Sequence, residues 1–222
     1  MIKLVAFDWN GTIFSDTSVT LEGVNEVFKF LKLSPISLKT FQKHFDVPVI
    51  NSYMAMGISA QDLNKKSKEI AGVFHASYEQ RSMKVRTRAY ARGLLSRLLK
   101  NHINSIIFSN HIDEPIKKQL KRLKIERYFS AVLANSHLET AFNGRAKQEK
   151  LKNYLESQSL SAKEILIVGD TIEETEIGKE LGCYTVAITH GFCSTTRLKA
   201  AKPDFLISNL KEVIKIVKSL KF

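Results

Sequence analysis

The chain has 222 residues, of which 44% are hydrophobic and 25% are charged, so it can bury a sizeable core. This composition excludes a disordered chain, and every apolar run is too short for a signal peptide or a membrane-spanning helix. The two cysteines, Cys183 and Cys193, are too few for a disulfide framework and lack the spacing of a zinc site, so we expect free thiols and a cytoplasmic protein.

The charge balance is strongly basic, with 34 Lys and Arg against 22 Asp and Glu and a formal net charge of +12. Such a field attracts anionic substrates or nucleic acid. The basic residues are spread through helical segments such as 117–124, where they commonly form solvated faces, and no basic motif with interleaved aromatic residues accompanies them. We therefore expect a small anionic substrate and no membrane partner, and we keep nucleic acid as a weaker alternative.

Short apolar runs along the chain have the character of buried parallel strands, which lack a polar face. They lie at residues 2–7, 103–108, 131–134, 165–168 and 185–188, and residues 204–207 could add an edge strand. Helical patterns occupy residues 91–100, 114–123, 147–155, 173–181 and 210–220, and Gly182 stands where a C-cap glycine would end a helix. This alternation predicts an α/β fold with a doubly wound parallel sheet.

The segment from about Asp16 to Ser82 differs from the rest, because helical patterns at 21–31 and 60–80 are not interrupted by a convincing strand pair. It predicts a small helical domain at residues 16–82, inserted into an α/β core formed by residues 1–15 and 83–222. Four residues in its turn-rich middle could face a pocket or, more simply, form the core of the insertion: Phe45, Tyr53, Met54 and Met56.

Polar residues follow three of the predicted strands, at the edge where open α/β sheets bind ligands. The first strand is followed by Asp8, Asn10, Gly11 and Thr12, the second by Ser109, Asn110 and His111, and the third by Asp170 and Glu174. Carboxylates together with backbone carbonyls suit Mg²⁺. A lysine is expected beside a transferred phosphoryl group, and Lys147 could supply it. Each residue alone has an ordinary explanation as a cap, a turn or a surface residue, but their order together indicates a phosphoryl-transfer site.

This order resembles the four motifs of the haloacid dehalogenase (HAD) superfamily: an aspartate loop, a serine or threonine, a lysine, and a Gly-Asp acidic loop. The resemblance covers residues 1–15 and 83–222, and the gap between Asp8 and Ser109 is where this superfamily places its helical C1 cap. The opening Phe-Asp-Trp-Asn-Gly-Thr and the tail at 202–207 are similar to phosphoglycolate-phosphatase-like members.

The resemblance implies a Mg²⁺-dependent phosphohydrolase that acts on a small phosphorylated metabolite through an aspartyl-phosphate. Asp8 would be the nucleophile, and Mg²⁺ would be held by Asp8, the carbonyl of Asn10, Asp170 and, through water, Glu174. The implied contacts to phosphoryl oxygens come from Ser109 and nearby backbone N–H groups, with Gly11, Thr12 and Asn110 as neighbouring candidates. Lys147 would steady Asp8 and the developing charge.

Asn10 departs from the pattern of the family, whose phosphatases generally have an acid/base aspartate there. An amide cannot exchange a proton at neutral pH, and general acid–base help is worth about 10²–10⁴-fold in rate. We therefore expect slow turnover or a substitute group, with His111 as the nearest titratable candidate in sequence. The alternatives are a catalytically weakened HAD-like protein that binds phospho-ligands or a partner, and a phosphonatase-like enzyme.

Overall fold

The computed structural model describes residues 1–136 and 146–220 and contains one six-stranded sheet in which every pairing is parallel. The spatial order is β3-β2-β1-β4-β5-β6. The strands are β1 (Leu4–Phe7), β2 (Asn104–Ile112), β3 (Ala131–Asn135), β4 (Ile165–Gly169), β5 (Tyr184–Ile188) and β6 (Phe205–Ile207). All six predicted strands are confirmed, including the edge strand.

Helices cover both faces of the sheet, as a doubly wound fold requires. They are α6 (Ala91–Lys100), α7 (Asp113–Arg122), α8 (Ala146–Ser157), α9 (Ile172–Leu181), α10 (Thr195–Ala200) and α11 (Val213–Ser219). In β1, Val5 and Phe7 belong to one hydrophobic core, while Leu4 and Ala6 belong to a second core on the opposite face. This alternation with both faces apolar explains why the strand is a continuous hydrophobic run.

Between β1 and β2 the chain forms five helices: α1 (Thr17–Phe30), α2 (Leu38–His44), α3 (Val49–Ala55), α4 (Ala60–Lys65) and α5 (Ser67–Ser82). The predicted helix at 60–80 is interrupted at Lys66, where φ is −121° and ψ is 21°. Neither α2 nor α3 was predicted from the sequence. Ser37 marks the start of α2, since its hydroxyl accepts a hydrogen bond from the backbone N–H of Thr40 at 3.1 Å.

The prediction that β2 ends at Phe108 was wrong, because the strand continues to Ile112. The pairing with β3 resumes after an irregularity, with Ile112 opposite Asn135. The side-chain amide of Asn135 also donates to the carbonyl of Asn110 at 2.6 Å. Ser109 and Asn110 are therefore held in extended backbone at the carboxyl end of the sheet, close to the ends of β1 and β4. In the described part of the chain, no helix combines the length and apolar character needed to span a lipid bilayer.

Candidate active site

A buried lysine joins the end of a strand to the first turn of a helix. The ammonium Nζ of Lys147, near the start of α8, donates to Asp8 Oδ1 at 2.6 Å and also to Glu174 Oε1. It lies 3.8 Å from Glu173 Oε2 and 4.5 Å from the centre of the Phe108 ring. The Lys147 side chain is only 2% exposed. Asp8 follows β1 and Glu174 lies in the first turn of α9, so this single cation organises residues from three parts of the fold.

Acids outnumber bases in this cluster, and burial makes that imbalance matter. Burial raises the pKa of Asp8 well above its ordinary value; the nearby Lys147 opposes this shift, and Glu174 and Asp170 add to it. Burial, followed by the charge of Glu174, raises the pKa of Asp170 to about 6. For Glu174 the balance is reversed: burial acts to raise its pKa, but Lys147 and the Thr171 hydrogen bonds lower it. The cluster therefore favours additional positive charge next to Asp8 and Asp170.

Asp170 is fully buried at the end of β4 and is fixed by two donors. Thr12 Oγ1 donates to Oδ1 at 2.7 Å, and the backbone N–H of Phe192 donates to Oδ2 at 2.6 Å. Gly11 lies against the same carboxylate, and a Cβ atom at this position would collide with Asp170. Its φ of +71° also favours glycine. These contacts explain the sequence Gly-Thr after Asn10 in structural terms.

Asn10 is bound to a carboxylate that the sequence analysis did not single out. Its amide Nδ2 donates to Asp16 Oδ2 at 2.6 Å and to the hydroxyl of Tyr78 at 2.9 Å. Asp16 is fully buried and also accepts from the Tyr78 hydroxyl at 2.7 Å and from the backbone N–H of Gly11 at 2.7 Å. Burial raises the pKa of Asp16, while the hydrogen bonds from Asn10 and Tyr78 act to lower it. Both of these hydrogen bonds use Nδ2 of the amide, so the side-chain oxygen Oδ1 of Asn10 can still accept a hydrogen bond.

The predicted phosphate-binding residues fall into two groups. Ser109 and Asn110 line the same cavity as Asp8, and Ser109 is buried. Gly11 and Thr12 are absent from the residues that line this cavity in the described structure, and Asp16 and Asp170 engage their donors. That Gly11 and Thr12 contact phosphate remains a prediction. The hydrogen bonds to Asp16 and Asp170 argue against it, because they occupy the donors that a phosphate would need.

His111 lines the cavity, and its Nε2 is buried without a hydrogen-bond partner among residues 1–136 and 146–220. Burial, and then the neighbouring His75, lowers the pKa of His111 to about 4. The imidazole is therefore uncharged near neutral pH and is a poor proton donor to a leaving group. This electrostatic setting argues against the substitute role that the sequence analysis considered for His111.

The cavity that contains Asp8 has a volume of about 170 Å³ and extends between the sheet and the helices of residues 17–82. Phe45, Tyr53 and Met56 line it, whereas Met54 is 44% exposed and does not. Phe45 and Tyr53 also belong to a hydrophobic cluster in which the helices of residues 17–82 pack against residues from β5 to α10, so these two side chains both line the cavity and contribute to a core. Tyr78, on α5, had no recognisable signal in the sequence.

The donor set fits a hard divalent cation. Asp8 and Asp170 supply buried carboxylates, and the backbone carbonyl of Asn10 lies two residues after Asp8. Burial, with the neighbouring acids adding to it, raises the pKa of both aspartates. Within residues 1–136 and 146–220, no three His, Cys, Asp or Glu side chains are arranged to hold a metal by themselves. Mg²⁺ commonly takes only one or two protein carboxylates and completes its shell with water and substrate phosphate. Both oxygens of Glu174 are already engaged, by Lys147 and by Thr171, so its part at a metal stays a prediction.

The fold and this arrangement of acids around a lysine define a class of hydrolase, and comparison with known proteins identifies the family. Residues 5–188 match the model of the haloacid dehalogenase-like hydrolases. The chain belongs to the haloacid dehalogenase-like hydrolase family. The predictions of family, fold class and enzyme class are confirmed.

Individual relatives cover almost the whole chain. A phosphoglycolate phosphatase of Vibrio parahaemolyticus is 24% identical over 97% of this chain and 96% of its own length. A pyrophosphatase PpaX of Oceanobacillus iheyensis is 20% identical over 97% of both chains. The structure of a haloacid dehalogenase-like hydrolase from Streptococcus pneumoniae superposes with a TM-score of 0.81 at 21% identity and covers 97% of this chain and 98% of the other. This structural likeness supports the fold.

Proposed function

We propose that the protein is a Mg²⁺-dependent phosphomonoesterase in which Asp8 is the nucleophile. The observation that carries this proposal is the Lys147 bridge between Asp8 and Glu174 in a cavity at the carboxyl ends of the strands. The relatives named phosphoglycolate phosphatase and pyrophosphatase support a small phosphorylated substrate. Two buried thiols, both free, are in keeping with a cytoplasmic location, which stays part of the proposal.

In the proposed reaction, a carboxylate oxygen of Asp8 attacks the phosphorus in line and the bond from phosphorus to the leaving oxygen breaks. This gives an aspartyl-phosphate and an alkoxide that takes a proton from water. In the second step water attacks the phosphorus, loses a proton to solvent, and the bond to Asp8 breaks, which releases inorganic phosphate and restores the carboxylate. Asp8, Asp170 and the carbonyl of Asn10 would hold Mg²⁺, which when bound offsets the charge of the phosphate.

The other residues orient the reacting groups. Lys147 holds Asp8 in place and offsets charge on the phosphoryl oxygens, and Ser109 and the adjacent backbone N–H groups bind those oxygens. Glu174 positions Lys147 and caps α9 together with Thr171. Asn10 accepts a hydrogen bond through Oδ1 and so can orient water or a leaving hydroxyl, but it transfers no proton. We further propose that residues 16–82 act as a C1-type cap that closes the site against solvent.

A panel of phosphorylated metabolites, assayed with Mg²⁺ and with EDTA, tests the proposal. Wild-type protein and the surface control Asp62→Asn should release phosphate only with Mg²⁺, and Asp8→Asn should be inactive. Release of phosphate that persists in Asp8→Asn would remove Asp8 as the nucleophile.

The contact between Asn10 and Asp16 favours a second candidate, a weakened HAD-like protein that binds phospho-ligands without efficient turnover. In that case phosphorylated Asp8 would accumulate after one turnover and steady-state release would be negligible. Brisk steady-state release by the wild-type protein excludes this candidate. Phosphonate cleavage and nucleic-acid binding stay predictions; the latter is tested by oligonucleotide binding at moderate salt.

A further inference from the structure

The two ends of the cavity beside Asp8 have opposite chemistry. At the sheet end are Asp8, Lys147, Glu173 and Glu174. The far end is formed by the helices of residues 17–82 and is mostly hydrophobic, with polar groups from Thr20, Ser52, Tyr53, His75 and Tyr78. We name the following part of its lining the apolar wall: Val24, Phe41, Phe45, Val49, Met56 and Phe74. An in-line displacement places the leaving group opposite the nucleophile. A leaving group that departs from a phosphorus at Asp8 therefore extends away from Asp8, along the apolar wall.

Among the described residues that line this cavity, Lys147 is the single Lys or Arg. It already contacts Asp8 and Glu174 and lies 3.8 Å from Glu173. The lining includes three carboxylates, so its described residues offer a negatively charged leaving group no further ammonium or guanidinium partner. His75 and His111 also line it, but burial lowers the pKa of each imidazole, which leaves them uncharged near neutral pH.

A negatively charged leaving group would lose its hydration against this wall without gaining a cationic partner. An uncharged apolar leaving group would instead gain from burial of its surface. The whole cavity has a volume of about 170 Å³ and also receives the phosphoryl group beside Asp8. The leaving group that it can enclose is therefore no larger than about one six-membered ring, since a protein cavity of about 150 Å³ accommodates benzene.

We infer that the substrate is a phosphate monoester whose leaving group is uncharged and largely apolar, about the size of one ring, and that the apolar wall discriminates against a carboxylate on that group. This inference rests on the proposed phosphatase function and specifies its substrate class. It sets this chain apart from what the names of its relatives suggest, because glycolate, the leaving group of phosphoglycolate, is itself a carboxylate.

Benzyl phosphate and 4-carboxybenzyl phosphate provide a matched test, since the esters share a ring and a benzylic leaving oxygen and differ in one distant charge. With Mg²⁺ at neutral pH, kcat/KM should be about 100-fold or more higher for benzyl phosphate. Phosphoglycolate should be a poor substrate in the same assay. Equal values for the two benzyl esters, or a preference for the carboxylated ester, would overturn the inference.

Two lysine variants on α3 and its C-terminal end localise the effect. Met56 lines the cavity and is partly buried, whereas Met54 is exposed and does not line it. Met56→Lys should raise kcat/KM for 4-carboxybenzyl phosphate by about tenfold and lower it for benzyl phosphate. Met54→Lys should leave both values unchanged. An equal gain in the two variants would show that general surface charge, and not the apolar wall, controls the preference.

Binding separates this inference from the proposed function. Benzylphosphonate and 4-carboxybenzylphosphonate can be titrated by calorimetry with Mg²⁺, without any turnover. Tighter binding of benzylphosphonate, by about tenfold or more, supports the inference even if no ester is hydrolysed, and in that case only the phosphatase proposal fails. Equal binding, or binding of neither compound, would overturn the inference whatever the turnover.

Discussion

The side-chain amide of Asn10 donates a hydrogen bond of 2.6 Å to the carboxylate of Asp16. This contact couples the residue two positions after the proposed nucleophile to a fully buried acid. It gives a structural reason for an asparagine at position 10, because an aspartate there would face Asp16 at the same distance with two carboxylates in contact. The absence of an acid/base group at position 10 and the presence of an acid at position 16 are therefore parts of one arrangement.

Exchanging these two residues tests that coupling. Asn10→Asp alone should lower the free energy of unfolding by about 2–4 kcal/mol, because it replaces a hydrogen bond with a buried like-charge pair. The double variant Asn10→Asp/Asp16→Asn restores one donor and one acceptor and should recover at least about 1 kcal/mol of the loss. Chemical denaturation of all four proteins gives the coupling energy. Simple additivity of the two single changes would show that the contact does not matter to stability.

Removal of the buried ammonium of Lys147 should destabilise the folded protein more than removal of an exposed lysine ammonium. Lys147→Met leaves Asp8 and Glu174 uncompensated and should lower the free energy of unfolding by about 3–5 kcal/mol and abolish turnover. Lys152→Met, on the exposed side of α8, is the matched control and should change stability by less than about 0.5 kcal/mol. If the two variants are equally stable, the Lys147 ammonium does not hold the cluster together.

Mg²⁺ should stabilise the folded protein through Asp8 and Asp170. At about ten times the dissociation constant, a ligand that binds only the folded state adds about 1.4 kcal/mol, which in a chain of this size raises Tm by about 3–6 °C. Asp170→Asn should lose this response, and Glu114→Gln, at an exposed carboxylate, should keep it. Thermal scans with Mg²⁺ and with EDTA measure the effect. A full Mg²⁺ response in Asp170→Asn would place the cation elsewhere.

His111 should make the free energy of unfolding depend on pH. Its pKa of about 4 in the folded state lies below the ordinary 6.5, because burial disfavours the imidazolium. Between these values the unfolded chain binds more protons, so the stabilisation is present above pH 6.5 and is lost as the pH falls toward 4. His111→Gln should remove about 1–3 kcal/mol of this pH dependence relative to wild type. If the free energy of unfolding falls by the same amount in wild type and in His111→Gln between pH 6.5 and pH 4, the lowered pKa of His111 is wrong.

The sheet could be predicted from sequence because each strand is a continuous apolar run and each is followed by polar residues. The same logic placed Asp8, Ser109 and Asp170 at one edge, and in the structure β1 pairs in parallel with both β2 and β4, with all three side chains buried. The extension of β2 to Ile112 could not be predicted, because it depends on pairing with β3 and on a hydrogen bond from Asn135. Local periodicity carries no information about such a partner.

The partners of Asn10 were missed for a different reason. Asp16 lies at the boundary where a helix begins, so its sequence context is that of an N-cap, although its side chain makes no capping hydrogen bond. Tyr78 is 62 residues farther along the chain and meets Asp16 only through the packing of α5 against α1. The apolar wall likewise required the relative placement of several helices, which side-chain periodicity does not encode.

Trapping the phosphorylated enzyme tests most directly whether Asp8 is the nucleophile. Wild-type protein mixed with benzyl phosphate and Mg²⁺, quenched in acid and digested, should carry one phosphoryl group on the peptide that contains Asp8. The adduct should persist longer in wild type than in Asn10→Asp/Asp16→Asn, which restores a titratable group at position 10. A phosphoryl group on any other residue, or normal turnover by Asp8→Asn, would show that Asp8 is not the nucleophile.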